Sequence, residues 1–309
     1  MKENSRETIK EHLEKQFKKE ETRHIHEPLH HHHLSTGKLH IHRPENYLLN
    51  IGKYTSSIKK AIEAKLSKKD ESKDIKKELQ LKQRVATGIS GLDEVMEGGF
   101  RKGTSNLIGG GAGSGKSIFC MQFLVNGIET YNEPAVYISF EEDEKKILRD
   151  FEKFSWNMEE KIKSKKLVIL HYPPERVENI LEIGGTATDI IEEIGAKRVV
   201  VDSLTAFTLL HKDDYEKRKA VLKLFDAINK WGSTVLVTSE HESDLEHHQS
   251  STLEFEVDGV ILLYNIRKGD IRERCLEIFK MRGTHHAAKI FPMKITDNGV
   301  IVFPEETVF

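Results

Sequence analysis

A chain of 309 residues with 48 Lys and Arg against 50 Asp and Glu has a formal net charge of −2, which argues against a dedicated nucleic-acid glove without excluding a local basic patch. No stretch approaches 18 consecutive apolar residues and the N-terminus is charged rather than signal-like, so neither a membrane span nor an export signal is expected. Two cysteines, Cys120 and Cys275, are too few for a disulfide framework, and both fit packing roles in a soluble protein of the reducing cytoplasm.

The charge is unevenly spread. Residues 1–84 carry 20 basic against 13 acidic side chains, and residues 85–309 carry 28 against 37. A basic arm and linker over residues 1–83 therefore precedes an acidic domain over residues 84–309, which must supply most of the core. Within the arm, Ile9, Leu13 and Phe17 recur at four-residue spacing on an otherwise charged helix. Next, His24-Ile25-His26-Glu27-Pro28 is echoed by His40-Ile41-His42-Arg43-Pro44, with His30 to His33 between. Alternation places His24 with His26, and His40 with His42, on one face of an extended segment, and imidazole is a ligand for Zn²⁺ and Ni²⁺. A solvated arm without metal is the alternative, since no cysteine accompanies the histidines. Residues 55–82, rich in Lys and Glu, read as surface helices and a connector.

From residue 85 the pattern becomes that of an α/β domain, with apolar strands alternating with helices and antiparallel strands at the end. Asn106 to Gly109 closes a buried strand, and Gly110-Gly111-Ala112-Gly113-Ser114-Gly115-Lys116-Ser117 matches G-x-x-x-x-G-K-S. Glycines let successive backbone N–H groups converge on phosphate oxygens; Lys116 then reaches the β and γ phosphates of ATP, and Ser117 ligates Mg²⁺. The helix that follows, 116–130, turns its positive end to the same anion and has an apolar face of Ile118, Met121, Phe123, Leu124 and Ile128.

Pro134 to Phe140 is a second buried strand, ending at Glu141 and Glu142. A carboxylate at the carboxyl end of such a strand faces the ligand crevice and can orient and deprotonate the water attacking the γ-phosphate; helix N-terminal acids are the other reading of this pair. Arg198 to Val201 is a third strand, ending in Asp202, which is placed to hold Mg²⁺ directly or through water. A fourth, Ser233 to Ser239, ends at Glu240-His241-Glu242. The antiparallel strands are expected near Val257 to Tyr264, Arg274 to Met281 and Lys289 to Phe303, with a turn at Arg267 to Asp270 and a hairpin turn at Asn298-Gly299.

Together, the run Thr87-Gly88-Ile89-Ser90-Gly91-Leu92-Asp93, the pair Gly98-Gly99, the phosphate loop and Ser139-Phe140-Glu141-Glu142 resemble the KaiC-like branch of the RecA-superfamily ATPases, over residues 84–305. The resemblance implies a RecA-like core and slow ATP hydrolysis in a homo-oligomeric ring, a hexamer, that regulates an unidentified protein partner. It implies catalysis by Glu141 with Glu142 assisting, and a γ-phosphate-sensing role for the polar end of the fourth strand. It also implies that Lys280 and Arg282, in Lys280-Met281-Arg282-Gly283, reach a nucleotide on the neighbouring subunit, with His286 a weaker third residue. One departure counts against autokinase activity: where the clock protein of this branch has a phosphorylated Ser-Thr pair, this chain has Glu254 and Phe255. A recombinase-like DNA-binding ATPase, or a metal-responsive binding protein with structural nucleotide, are the alternatives from other functional classes.

Overall fold

The computed structural model describes residues 83–173, 186–209, 211–240 and 253–308. The chain divides into two units, Met1–Lys69 and Asp70–Phe309, and every described residue belongs to the second.

The lead-in forms a two-stranded antiparallel ribbon of β1 (Arg84–Val85) and β2 (Phe100–Arg101), with a 3₁₀ turn at Asp93–Met96 between them. In chain order there follow β3 (Ser105–Gly110), α1 (Lys116–Tyr131), β4 (Ala135–Ser139), α2 (Glu144–Asp150), α3 (Met158–Lys163) and β5 (Leu167–His171). Then come α4 (Thr186–Glu193), β6 (Arg198–Asp202), α5 (Leu204–Leu209), α6 (Asp214–Trp231), β7 (Thr234–Glu240) and α7 (Leu253–Glu256). The chain finishes with β8 (Gly259–Lys268), β9 (Ile271–Met281), β10 (Ile290–Thr296) and β11 (Gly299–Val302).

Nine strands make one sheet in the order β11-β10-β9-β8-β3-β7-β6-β4-β5. The strands from β8 through β5 in that order are mutually parallel, and β9, β10 and β11 are antiparallel. Strands covered on both faces need apolar residues at every position, and Val199 to Val201 and Val235 to Val237 are buried throughout. Their side chains alternate: Val200 and Leu236 join the core that holds α1, while Val199, Val201, Val235 and Val237 join the core under α4, α5 and α6.

Two expectations from sequence need correction. The apolar stripe on α1 predicts a helix buried on one face, but Phe119 to Val125 are all buried, Gln122 included. The lead-in segment and β11 cover its other side. Gln122 Nε2 donates to the Gly88 and Val300 carbonyls, its Oε1 accepts from the Val300 N–H at 2.6 Å, and Asn126 Nδ2 donates to the Gly88 carbonyl. Gly88 has φ 72°, and a Cβ there would lie 2.0 Å from the Asn126 side chain. The glycine in the Thr87-to-Asp93 run is thus required by close approach to α1. Secondly, β8 and β9 extend to Lys268 and from Ile271, so the turn tightens to Gly269 and Asp270.

Both cysteines are buried, Cys120 on α1 and Cys275 on β9. Burial, with Glu273 adding, pushes the Cys275 thiol up to about 11, which keeps it protonated and inert at neutral pH.

Arg198, at the start of β6, ties the layers together although only 1% exposed. Its Nε pairs with Glu133 at 2.7 Å, its Nη1 donates to the carbonyls of Ala86 and Phe123, both at 2.9 Å, and its guanidinium lies 4.6 Å from the Phe123 ring centroid. Removing the cation alone strands these acceptors. Arg198→Met is therefore expected to lower unfolding stability by about 3 kcal/mol, the low end for a broken buried pair because Glu133 keeps some solvent. Urea denaturation with an unchanged slope measures this, and a midpoint equal to wild type would show that Arg198 is not a tie.

Candidate active site

The carboxyl ends of the parallel strands gather the chemistry. β3 ends at Gly110, and the chain turns through Gly111 to Gly115 before α1 begins at Lys116. Gly113 and Gly115 have φ 72° and 105°, conformations that side chains disfavour, and a Cβ on Gly110 would lie 2.4 Å from the Leu263 carbonyl oxygen. α1 starts without a side-chain cap and without an acid in its first turn, whereas Asp143 caps α2 and Asp213 caps α6. Its first N–H groups, which lack intrahelical partners, are thereby kept for an anion. Lys116 Nζ donates to the Gly110 and Gly111 carbonyls at 2.9 and 3.1 Å, and Ser114 Oγ is buried in the loop with no hydrogen-bond partner.

Asp202, the last residue of β6, accepts from three hydroxyls. Ser117 Oγ donates to Oδ2 at 3.0 Å, Tyr137 OH donates to the same oxygen, and Thr238 Oγ1 donates to Oδ1 at 2.5 Å. The structure thus joins two residues 85 positions apart, Ser117 and Asp202. A hydroxyl and a carboxylate are hard oxygen donors, the class Mg²⁺ prefers, so this pair fits the ion.

Glu141 and Glu142 part company. Ser139 lies opposite Asp202 in the β4–β6 register, and its Oγ accepts from the N–H groups of both glutamates, at 3.3 and 2.9 Å. Beyond that anchor, Glu141 Oε1 accepts from Ser203 Oγ at 2.9 Å, next to Asp202. Glu142 instead pairs with Lys146 at 2.6 Å along α2, and that contact raises the Lys146 ammonium above its ordinary range. At the end of β7, Thr205 Oγ1 accepts from the Glu240 N–H at 2.8 Å. His241 and Glu242 lie outside the described residues.

Lys280 and Arg282 are not at this end. β9 returns antiparallel, so Met281 pairs with Gly259, which pairs with Asn106, while Gly110 pairs with Leu263. Four residues of strand, roughly 13 Å, separate the two levels. There Lys280 Nζ donates to the Glu254 and Val257 carbonyls at 2.7 and 2.8 Å, and Arg282 Nη2 donates to the Phe255 carbonyl at 3.0 Å. Burial, then Arg282, lowers the Lys280 ammonium below its usual range. Glu254 is buried and Phe255 exposed on α7; Ser250, Ser251 and Thr252 lie outside the described residues.

Sequence reasoning missed Tyr137 and Thr238, and also Asn265 and Arg274, whose Nδ2 and Nε reach the Gly113 carbonyl at 3.4 and 3.1 Å. A signal existed for the first two: hydroxyls within otherwise aliphatic buried strands must find acceptors. The four histidines His24, His26, His40 and His42, read as Zn²⁺ or Ni²⁺ ligands, lie outside the described residues. Among the described residues no group of three or more His, Cys, Asp or Glu could hold a metal, and no helix is long and apolar enough to cross a membrane.

The family described as ATPase: KaiC matches residues 85–307. The chain belongs to the KaiC ATPase family. The circadian clock oscillator protein KaiC of Parasynechococcus marenigrum strain WH8102 is 34% identical over 230 residues, which are 72% of this chain and 45% of that protein. The KaiC of Synechococcus elongatus strain PCC 7942 is 32% identical over 232 residues, 72% of this chain and 44% of its own. This chain therefore spans less than half the length of those two relatives. The crystal structure of a KaiC-like protein from the hyperthermophilic archaeon Pyrococcus horikoshii OT3 aligns with a TM-score of 0.65 at 35% identity, over 72% of this chain and 99% of that one. The nine-stranded sheet is thus a RecA-like, KaiC-type core, and the family is one of nucleotide-binding ATPases.

Proposed function

We propose that this KaiC-like protein binds ATP with Mg²⁺ at Gly110 to Ser117 and hydrolyses it slowly, as a regulatory homo-oligomer, a hexameric ring, acting in the cytoplasm on a protein partner. The observation that carries the reading is the Ser117–Asp202 contact at 3.0 Å, with Glu141 held on Ser203 beside it. Ser117 and Asp202 would hold Mg²⁺, which when bound neutralises charge on the β and γ phosphates. Lys116 exchanges its loop carbonyls for phosphate oxygens. Glu141 orients the attacking water and takes its proton. Lys280 and Arg282, remote from their own phosphate loop, serve the loop of the next subunit, where a planar cation stabilises charge on the transferred phosphoryl group.

Native mass measurement of the full chain with ATP, with ADP and without nucleotide tests the assembly. A nucleotide-dependent ring is expected for wild type, and Lys116→Ala is expected to lose both nucleotide binding and that ring. A monomer under all three conditions would remove the shared site.

A further inference from the structure

β6 is flanked by β4 on one side and β7 on the other, and each neighbour sends one buried hydroxyl to the carboxylate at its end. Tyr137 is 2% exposed and Thr238 0%. Their donations fall on different oxygens: Thr238 on Oδ1, Tyr137 on Oδ2. Ser117, the third donor, differs in kind. It is exposed at the first turn of α1, so its hydroxyl is free to rotate away from Asp202. The Tyr137 ring is packed within the α1-side core and its hydroxyl has no such freedom.

We propose that Tyr137 and Thr238 are positioning residues that clamp both oxygens of Asp202, and thereby set how strongly the site holds Mg²⁺ together with nucleotide. The inference rests on the reading that Ser117 and Asp202 are the metal donors. With one hydroxyl on each oxygen, the carboxylate cannot rotate about its Cβ–Cγ bond. When Ser117 turns from Asp202 to the ion, the Oδ2 lone pair it leaves already points into the site. Hydroxyls suit this task better than Lys or Arg, because they orient the carboxylate without bringing a positive charge that would compete with the cation.

The test is calorimetric, on the full-length protein: ADP affinity with excess Mg²⁺ divided by ADP affinity in EDTA. Tyr137→Phe is expected to lower this ratio about tenfold, the lower end for losing an outer-shell partner of a metal ligand, with affinity in EDTA unchanged. In an Asp202→Asn background the same change should have no further effect, since Tyr137 acts only through that carboxylate. Thr238→Val probes the Oδ1 arm by the same ratio, with a similar loss expected, and serves if Tyr137→Phe is unstable. A ratio unchanged or raised, equal losses with and without metal, or an undiminished effect beside Asp202→Asn would overturn the clamp. If Asp202→Asn itself leaves the ratio unchanged, the metal-site reading fails and the clamp falls with it.

Discussion

Glu141→Gln should bind ATP as wild type does and turn it over about 10²- to 10⁴-fold more slowly, the usual size of a general-base contribution. Glu142→Gln should change turnover by no more than about threefold, the scale of an exposed ion pair. The asymmetry follows from what each carboxylate touches. Glu141 is exposed at the end of β4 and tethered by a single hydroxyl, Ser203 Oγ at 2.9 Å, beside Asp202. A lone hydrogen bond aims a carboxylate while leaving it free to accept a proton from water. Glu142 is already committed to Lys146 at 2.6 Å, a contact that draws it along α2. Phosphate release in single turnover, beside equilibrium ATP binding, separates the two. Wild-type release from Glu141→Gln would remove it from the chemistry, and a large loss from Glu142→Gln would reverse the assignment.

Arg282→Ala should lower kcat about 10³-fold, as expected for removal of an arginine finger, and activity should return in part when this variant is mixed with Lys116→Ala. Each variant alone is inactive for a different reason: one lacks the finger, the other the phosphate grip. In a head-to-tail ring assembled at random from equal amounts, about a quarter of the junctions bring an intact loop to an intact finger. The geometry requires this arrangement if Arg282 works at all, because its strand level lies four residues from its own Gly110. Arg282 also has a structural attachment within its own chain. Arg282 and Lys280 donate to carbonyls of Glu254, Phe255 and Val257, so Arg282→Ala also loosens the segment before β8. Arg282→Lys discriminates between the two effects: it retains a cation for that segment but lacks the planar fork for phosphate, and should remain impaired. A mixture no more active than the sum of its parts, with subunit exchange shown by mass, would confine catalysis to single chains.

Much of the domain was legible because its signals are local. The phosphate loop is contiguous, so eight residues carry the turn, the lysine and the hydroxyl together. Buried parallel strands announce themselves as aliphatic runs, and Arg198 to Asp202 and Thr234 to Glu240 fall within a residue of where those runs place them. The hairpin between β10 and β11 falls one residue before the expected Asn298-Gly299: Asp297 and Asn298 make the turn, and Gly299 opens β11 opposite Thr296. What was illegible is non-local. The face of α1 carrying Gln122 and Asn126 looks polar, yet it is covered by a segment more than thirty residues earlier and by one nearly two hundred residues later.

By itself, then, the amino-acid order determined which chemical groups exist at strand ends: a lysine and serine after β3, glutamates after β4, an aspartate at the end of β6. It also determined the family, since those motifs follow one another in a single fixed order along the chain. Only the tertiary structure decided what each of them touches. Strand order places β4 and β7 on either side of β6, which delivers the Tyr137 and Thr238 hydroxyls to Asp202. The start of α2 beyond Asp143 puts Lys146 one turn from Glu142 and leaves Glu141 at the crevice. The antiparallel return of β9 carries Lys280 and Arg282 to the opposite end of the sheet from their own phosphate loop. The physical reason is shared by β6 and β9, where partners are chosen by strand pairing and burial, over separations of 36 to 85 residues at Asp202 that no local spacing encodes; the Glu142–Lys146 pair, at i and i+4, is the local exception.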